Sequence, residues 1–239
     1  MKIVVINGSM RKGSTYHYTH MVIDQLSKDH SIELSEYFLP KDLPNFCMGC
    51  YSCIVKGEEK CPHINHTSII QKSLDETDLI ILTSPVYVFD VSGQMKSFLD
   101  HFAFQWMSHR PNPKMFHKIG LGVCTAAGAG MKPTLKTMTR NLKWWGVGKV
   151  YGLTKAVMAS SFTEIPIKIR VSMENKAQKT PKKINRIYSN INRIKPTFIS
   201  KFLFNIMKLG KSGHPEWNQL DYDYWKNNNL FGRIKPWNK

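Results

Sequence analysis

Lys2-Ile3-Val4-Val5-Ile6-Asn7-Gly8-Ser9-Met10-Arg11-Lys12-Gly13-Ser14-Thr15 is the stretch on which the fold turns. It opens with a β-branched run that reads as a buried strand. It then passes through a loop of small and polar residues into Tyr16 to Leu26, whose apolar spacing suits a helix. A helix that starts just beyond such a loop aims unpaired backbone N–H groups, and the positive end of its dipole, at one spot. A phosphate fits there. Ser9, Ser14 and Thr15 add hydroxyls, Arg11 adds a planar fork for phosphate oxygens, Tyr16 follows directly, and Gly8 and Gly13 let the backbone come close. The loop matches neither GxGxxG nor GxxxxGK[ST], because Lys12 precedes Gly13 and no Lys-Ser or Lys-Thr pair follows. The phosphate of flavin mononucleotide (FMN) is therefore the leading candidate, and a βα turn that caps its own helix and binds nothing is the alternative.

At 239 residues the chain suits one domain of ordinary size with an extension. Residues 166–239 carry 16 Lys+Arg against 4 Asp+Glu, which is +12 of the whole chain's formal +17. The tail is thus the place to look for an acidic, phosphate-rich or membrane-surface partner. No apolar run reaches the length of a membrane span and the first apolar run is too short for a secretory signal, so a cytoplasmic protein is expected. Four of the five cysteines fall between 47 and 61, which in a reducing compartment favours a cluster, a metal or redox chemistry over disulfides.

Further along, Ile32 to Phe38 alternates as a second strand, and residues 64–76 are weakly helical. Asp78 to Thr83 is an apolar strand that runs into Ser84-Pro85-Val86-Tyr87, and Gln94 to Phe104 has helical spacing. Lys118 to Cys124 predicts another strand, with Cys124 a packing residue. Thr125-Ala126-Ala127-Gly128-Ala129-Gly130 predicts another small-residue turn, Lys132 to Trp145 another helix, and Val147 to Val157 a last strand. Alternating strands and helices imply an α/β fold with a doubly wound parallel sheet, whose ligands sit beyond the carboxyl ends of the strands where the strand order reverses. The turns at 7–16, 84–90 and 125–130 converge there. Ser172 to Pro181 is polar and reads as a linker or mobile loop. The expected division is a flavodoxin-like domain over 1–165 and a basic, partly helical extension over 166–239.

With these turns in hand, the sequence resembles the flavodoxin-like NADPH-dependent FMN reductase superfamily, and within it the iron–sulfur flavoprotein branch, over residues 1–160. In that family a G-S-x-R-x-x-S loop holds the FMN phosphate, and Gly8, Ser9, Arg11 and Ser14 stand at those places. The P-x-Y signature with a following G-Q-M-K-x-F-L-D helix appears as Pro85-Val86-Tyr87 and Gly93 to Asp100. The resemblance implies that Pro85, Val86, Tyr87 and Val88, together with Thr125, Ala126, Ala127 and Gly128, border the flavin ring. It also implies electron transfer from NAD(P)H as co-substrate, through FMN, to an acceptor the sequence does not name. The rival is a non-catalytic flavin electron carrier or redox sensor acting on a protein partner. No Ser-His-Asp order, nucleophile elbow or HExxH spacing supports a hydrolase.

Cys47, Cys50, Cys53 and Cys61 read C-x2-C-x2-C-x7-C, the kind of spacing that ligates a 4Fe–4S cluster. The iron–sulfur flavoprotein family carries a compact motif of this form. Zinc, with His63 and His66 at hand, and unligated redox-active thiols stay open. In the tail, Ile184, Ile187, Tyr188, Ile191 and Ile194 form a helical stripe among Lys182, Lys183, Arg186, Arg193 and Lys195, interrupted by Pro196. Phe198 to Leu209 is strongly apolar and Gly210 should end it. Such a basic amphipathic pair can lie on an anionic membrane. Packing on its own domain or on a second subunit is the favoured expectation, and with it a homo-oligomer. Leu220 to Lys226 is similar to the D-x-x-Y-W ending of some flavodoxin-family proteins, which suggests a lid or dimer arm. No nucleic-acid module is present, and nucleic acid is not expected as a partner.

Overall fold

The computed structural model describes residues 1–191, 194–213, 216, 218–232 and 235–238. Five strands, β1 (Lys2–Asn7), β2 (Glu33–Phe38), β3 (Leu79–Pro85), β4 (Ile119–Ala126) and β5 (Lys149–Ala156), form one sheet. It is parallel throughout, in the order β2-β1-β3-β4-β5. The chain moves outward from β1 to the edge strand β2, then crosses back over β1 to β3. The switch point therefore lies between the carboxyl ends of β1 and β3, where Asn7 pairs with Thr83. The central strands β3 and β4 are buried along almost their whole length, as their unbroken apolar runs require of a sheet covered on both sides.

Alternate residues of each strand feed opposite layers. Ile3, Val5, Leu79 and Ile81 pack with Tyr18, Val22 and Leu26 of α1 (Ser14–Leu26). Val4, Ile6, Ile80 and Leu82 pack with Ile70 and Leu74 of α3 (Ile64–Glu76), Phe98 of α4 (Gly93–His101) and Leu142 of α5 (Met131–Trp144). A single turn, α2 (Ser52–Val55), lies in the cysteine loop that leads to α3.

The extension departs from expectation in several places. Ser172–Pro181 is not a linker: it lies inside α6 (Ile167–Tyr188). Met173, Ala177, Pro181 and Ile184 recur about once per turn and are buried, while the polar residues between them face water. A proline inside a helix costs about 3 kcal/mol, because the bond to the carbonyl one turn back is missing. Burying Met173 and Ile184, at about 1.5–3 kcal/mol each, offsets that. The helix ends at Tyr188, so Ile191 and Ile194 lie beyond it, and both still pack into the same core. Arg193 lies outside the described residues. Gly210 does not end α7, which runs Phe198–Gly213. The helix predicted to reach Phe104 stops at His101, with Ala103–Gln105 as a 3-10 turn.

The extension crosses from one layer to the other. Ile194 belongs to the α1 and α6 layer and sits against Gly148, just before β5 begins. Beyond it, Phe204 of α7 stacks on Trp225 of α8 (Gln219–Asn227), their ring centroids 5.0 Å apart. Trp237 meets Phe116, just before β4, at 5.4 Å.

Candidate functional site

The three turns do converge. A solvent-open cleft of about 250 Å³ lies beyond the carboxyl ends of the strands. Of the residues singled out, Ser9, Arg11, Ser14, Thr15, Tyr16, Pro85, Val86, Tyr87, Thr125, Ala126 and Ala127 line it. Val88 and Gly128 do not: Val88 is 96% exposed and Gly128 lies open on the surface. Thr83, Val157, Ala159 and Ser160 line the cleft as well. The last three follow β5, and the signal for them was a further strand end running into the small residues Ala159-Ser160-Ser161.

The floor of the cleft is knitted by hydroxyls. Thr15 and Thr125 share a hydrogen bond of 2.6 Å between their Oγ1 atoms, and Thr19 Oγ1 donates to Thr83 Oγ1 at 3.2 Å. Gly8 is held where a side chain would crowd its neighbours. Its N–H donates to the Thr83 carbonyl at 2.7 Å and its carbonyl accepts from Ser92 Oγ at 2.5 Å. A Cβ there would stand 2.9 Å from Ser92 Oγ and 3.1 Å from the Thr83 oxygen. Gly13 takes the N-cap position of α1 and supplies no side chain, so the first-turn amides are left for another acceptor. The Ser9 hydroxyl accepts from Arg11 N at 3.1 Å, which bends the loop over the helix end.

Arg11 lies on the rim. Its guanidinium donates to the Ser160 carbonyl, on the loop after β5. Glu164 steadies that loop by accepting from the Ser160 and Ser161 amides at 3.2 Å each. The Ser161 hydrogen bonds, then the Ser160 amide and Arg11, hold its carboxyl below the ordinary range. Tyr16 packs on His20, 4.1 Å between centroids, under the Lys12 ammonium. On the far side Tyr87 and Asp90 exchange backbone hydrogen bonds of 2.9 and 3.0 Å, which closes a tight turn over Val88 and Phe89. Both take positive φ, 48° and 64°. For a β-branched valine that conformation is strained, and strain of this kind gathers at functional sites.

The cysteine loop forms a second centre. Cys47, Cys50, Cys53 and Cys61 are free thiols that line one small cavity with His63 and His101. Left-handed backbone at Gly49 and Tyr51 turns the loop back on itself between them. Burial, then the neighbouring Cys61, Cys47 and Cys50, push the Cys53 thiol up to about 11, with Arg110 acting the other way. The Ser52 side-chain and backbone hydrogen bonds lower the exposed Cys50. His101 Nδ1 meets the Ser97 carbonyl at 2.8 Å, and its Nε2 meets His63 Nδ1 at 2.8 Å. A carbonyl only accepts, so His101 carries its proton on Nδ1 and takes one hydrogen bond from His63. Burial lowers the His101 pKa, which favours this neutral form. Among the described residues, no three His, Cys, Asp or Glu side chains are gathered tightly enough to hold a metal ion. This holds for the four cysteines as well as for His63 and His66. Cys124 is buried in β4, its thiol pushed up to about 12 by desolvation.

The carboxy-terminal helix grips this loop from behind. Arg110 donates from Nη2 to the Cys53 carbonyl and from Nη1 to the Ile54 carbonyl at 3.1 Å. It also pairs with Glu58 at 3.0 Å and with the fully buried Asp221 at 2.7 Å. Asn218 Nδ2 donates to the Ile54 carbonyl at 3.2 Å. His109 and Lys211 complete the ring around Asp221, each at 2.7 Å. Trp225 Nε1 donates to the His109 carbonyl and Tyr224 OH to the Pro111 carbonyl. The Asp-x-x-Tyr-Trp ending thus faces inward as a brace on its own chain.

The profile of the family described as NADPH-dependent FMN reductase matches residues 1–163. The chain belongs to that family. An iron–sulfur flavoprotein of Archaeoglobus fulgidus is 30% identical over 234 residues, covering 95% of this chain and 98% of that one. This places it in the iron–sulfur flavoprotein branch. An iron–sulfur flavoprotein of Methanocaldococcus jannaschii is 38% identical over 101 residues, 42% of this chain and 51% of that one. Among solved structures, an azoreductase from Bacillus anthracis aligns with a TM-score of 0.60 at 11% identity, over 77% of this chain and 99% of that one. A flavone reductase aligns at 0.57 with 13% identity, over 82% and 66%. These two speak for the flavodoxin-like fold alone. As a family member the protein is an NAD(P)H-dependent FMN oxidoreductase.

Proposed function

We propose that the cleft beyond β1, β3 and β4 holds FMN, with its phosphate on the loop from Gly8 to Thr15. The observation that carries this reading is an α1 amino terminus without a side-chain cap, opening into a cleft at the switch point of the sheet. Ser9, Ser14 and Thr15 orient the phosphate, and Arg11 exchanges its carbonyl acceptor for a charged one. Pro85, Val86 and Tyr87 form one wall for the ring, and Thr125, Ala126 and Ala127 the other. Val88 and Gly128 serve as outer rim, by position. When bound, the flavin accepts hydride from a nicotinamide and passes electrons on. The side chains position the rings and exclude water, and none is needed as an acid or base. Anaerobic titration with NADPH and with NADH tests this: bleaching of the flavin band is expected, and a protein that retains no FMN overturns the placement.

The cysteine loop is the second electron site in this reading. Four thiols line one cavity, where burial first and then the charges of Cys61, Cys47 and Cys50 raise the Cys53 pKa; a thiolate-ligated iron–sulfur cluster would suit that donor set. Cys47, Cys50, Cys53 and Cys61 would be its ligands, handing electrons to an acceptor outside the cleft. Protein purified without air from cells competent in cluster assembly should carry iron and acid-labile sulfide beneath the flavin bands. Cys50→Ala should lose the sulfide and keep FMN; equal, negligible iron in both removes the cluster. Residues 1–165 act as the FMN domain; of the extension 166–239, α6 packs on α1 and α8 braces the cysteine loop from behind. The family is compatible with a homo-oligomer, for which light scattering is the test.

A further inference from the structure

Among the described residues, α7 is held on one side by the core and exposes large apolar side chains on the other. Phe204, fully buried, and Ser200, 3% exposed, face inward, with Phe204 against Trp225, Leu230 and Met207. Phe198, Ile199, Phe202 and Ile206 are 82%, 60%, 55% and 50% exposed. At about 100° per residue those positions fall within one arc of roughly 100°, on the side away from Phe204. The rings of Phe198 and Phe202 stack at 6.4 Å, so the stripe is an ordered ridge. Of the expected packing on its own domain or on a second subunit, Phe204 shows the first, and the ridge is left exposed within the chain.

Charge decides what covers it. The exposed Lys195 precedes the ridge and Lys201 stands on its flank. Asp221, one of only four acidic residues in this extension, is buried within its own ion-pair ring. A second copy docked ridge to ridge would bring the same lysines together in like-charge contact. An anionic surface meets them favourably and also accepts the aromatic and aliphatic side chains. Phe and Ile facing one way with Lys at the margin is how an interfacial helix lies in a bilayer, its apolar face sunk about 5–10 Å. Among the described residues no helix is long and apolar enough to cross one.

We propose that α7 is a membrane-surface anchor, and that its occupant is an anionic phospholipid bilayer. Phe198, Ile199, Phe202 and Ile206 enter the acyl boundary, and Lys195 and Lys201 meet the headgroups.

Co-sedimentation of the full FMN-loaded chain with vesicles of phosphatidylcholine, and of phosphatidylcholine with about one quarter phosphatidylglycerol, tests this. Most of the protein should pellet with the anionic vesicles and little with the neutral ones. The double variant F202E/I206E should bind at least about tenfold more weakly while keeping FMN. Lys195→Gln with Lys201→Gln should bind several-fold more weakly. Should the double variant lose FMN, Ile199→Glu provides the same test. No pelleting with anionic vesicles overturns the proposal. So does equal binding of F202E/I206E, which would mean surface charge without insertion. A dimer that F202E/I206E dissociates, without vesicle binding by the parent, assigns the ridge to a second copy and also overturns it.

Discussion

Replacing Asp221 with Asn should unlock the cysteine loop while leaving the FMN cleft intact. The carboxylate is fully buried and accepts from His109, Arg110 and Lys211 at 2.7 Å each. Asparagine keeps the shape but removes the charge, and it turns one acceptor oxygen into a donor that faces other donors. Breaking a buried ion pair from one side costs about 3–5 kcal/mol. Here the three partners are 9–13% exposed and can relax toward water, so the lower end, about 3 kcal/mol, applies. That corresponds to a roughly hundredfold larger population in which α8 has left the loop. Pulsed alkylation of the reduced, metal-free protein, read by mass spectrometry, measures it directly. Cys53, half-buried behind Arg110, should be modified about a hundredfold faster, while Cys124 in β4 serves as the internal reference. A change below about threefold in Cys53 would refute the clamp. The pH dependence follows with a definite sign. Burial raises the Asp221 pKa, but the hydrogen bonds and charges of His109 and Lys211 outweigh it, and the net shift is downward from 3.8. A depressed carboxyl contributes its full stabilisation above its unfolded value and loses it as the pH falls through the folded one. Hydrogen-exchange protection of α8 should therefore persist at about pH 5 and fail only below about pH 4, with this acid step missing in Asp221→Asn.

Arg11→Ala should weaken FMN binding by about 1.5–3 kcal/mol, the range for a hydrogen bond to a charged group, in a fluorescence titration, and unchanged affinity removes Arg11 from the site. Gly8→Ala should lower FMN retention and stability together, by about 1–3 kcal/mol for stability, because the new methyl meets Ser92 and Thr83; a variant with parental FMN content speaks against the close approach. Lys118 is buried with its ammonium on the Asp75 and Thr77 carbonyls, and desolvation lowers its pKa to about 8. The unfolded chain therefore binds the extra proton between about pH 8 and 10.5, so stability against urea should gain from this residue as pH rises through that window. Lys118→Met should lack that gain, and identical pH slopes for the two proteins would contradict the assignment.

The site was legible where the chemistry is local. β1, its loop and α1 are contiguous, and the convergence of 84–87 and 125–127 followed from strand order once the alternation of strands and helices was read. What escaped has physical reasons. The α6 segment looked like a linker because its composition is polar, although Met173, Ala177, Pro181 and Ile184 kept a helical repeat through it. Val88 was assigned to the ring wall on its place after a strand, and the tight turn closed by Tyr87 and Asp90 swings it outward instead. The grip of Arg110 on Asp221 spans 111 residues and leaves no local pattern: a lone arginine in a loop and a lone aspartate in a short helix look like ordinary surface charges.

That long reach also sets an order of events at the ribosome. The five strands and the loop proposed for the FMN phosphate have all been synthesised by the time β5 has been made. Asn218, which secures the Ile54 carbonyl, is 164 residues downstream of it. At about 5–20 residues per second that is a delay of roughly ten to thirty seconds during which Arg110 holds the loop without Asp221 and Asn218. Whatever the thiols bind must be delivered late, or delivered to a loop that has yet to close.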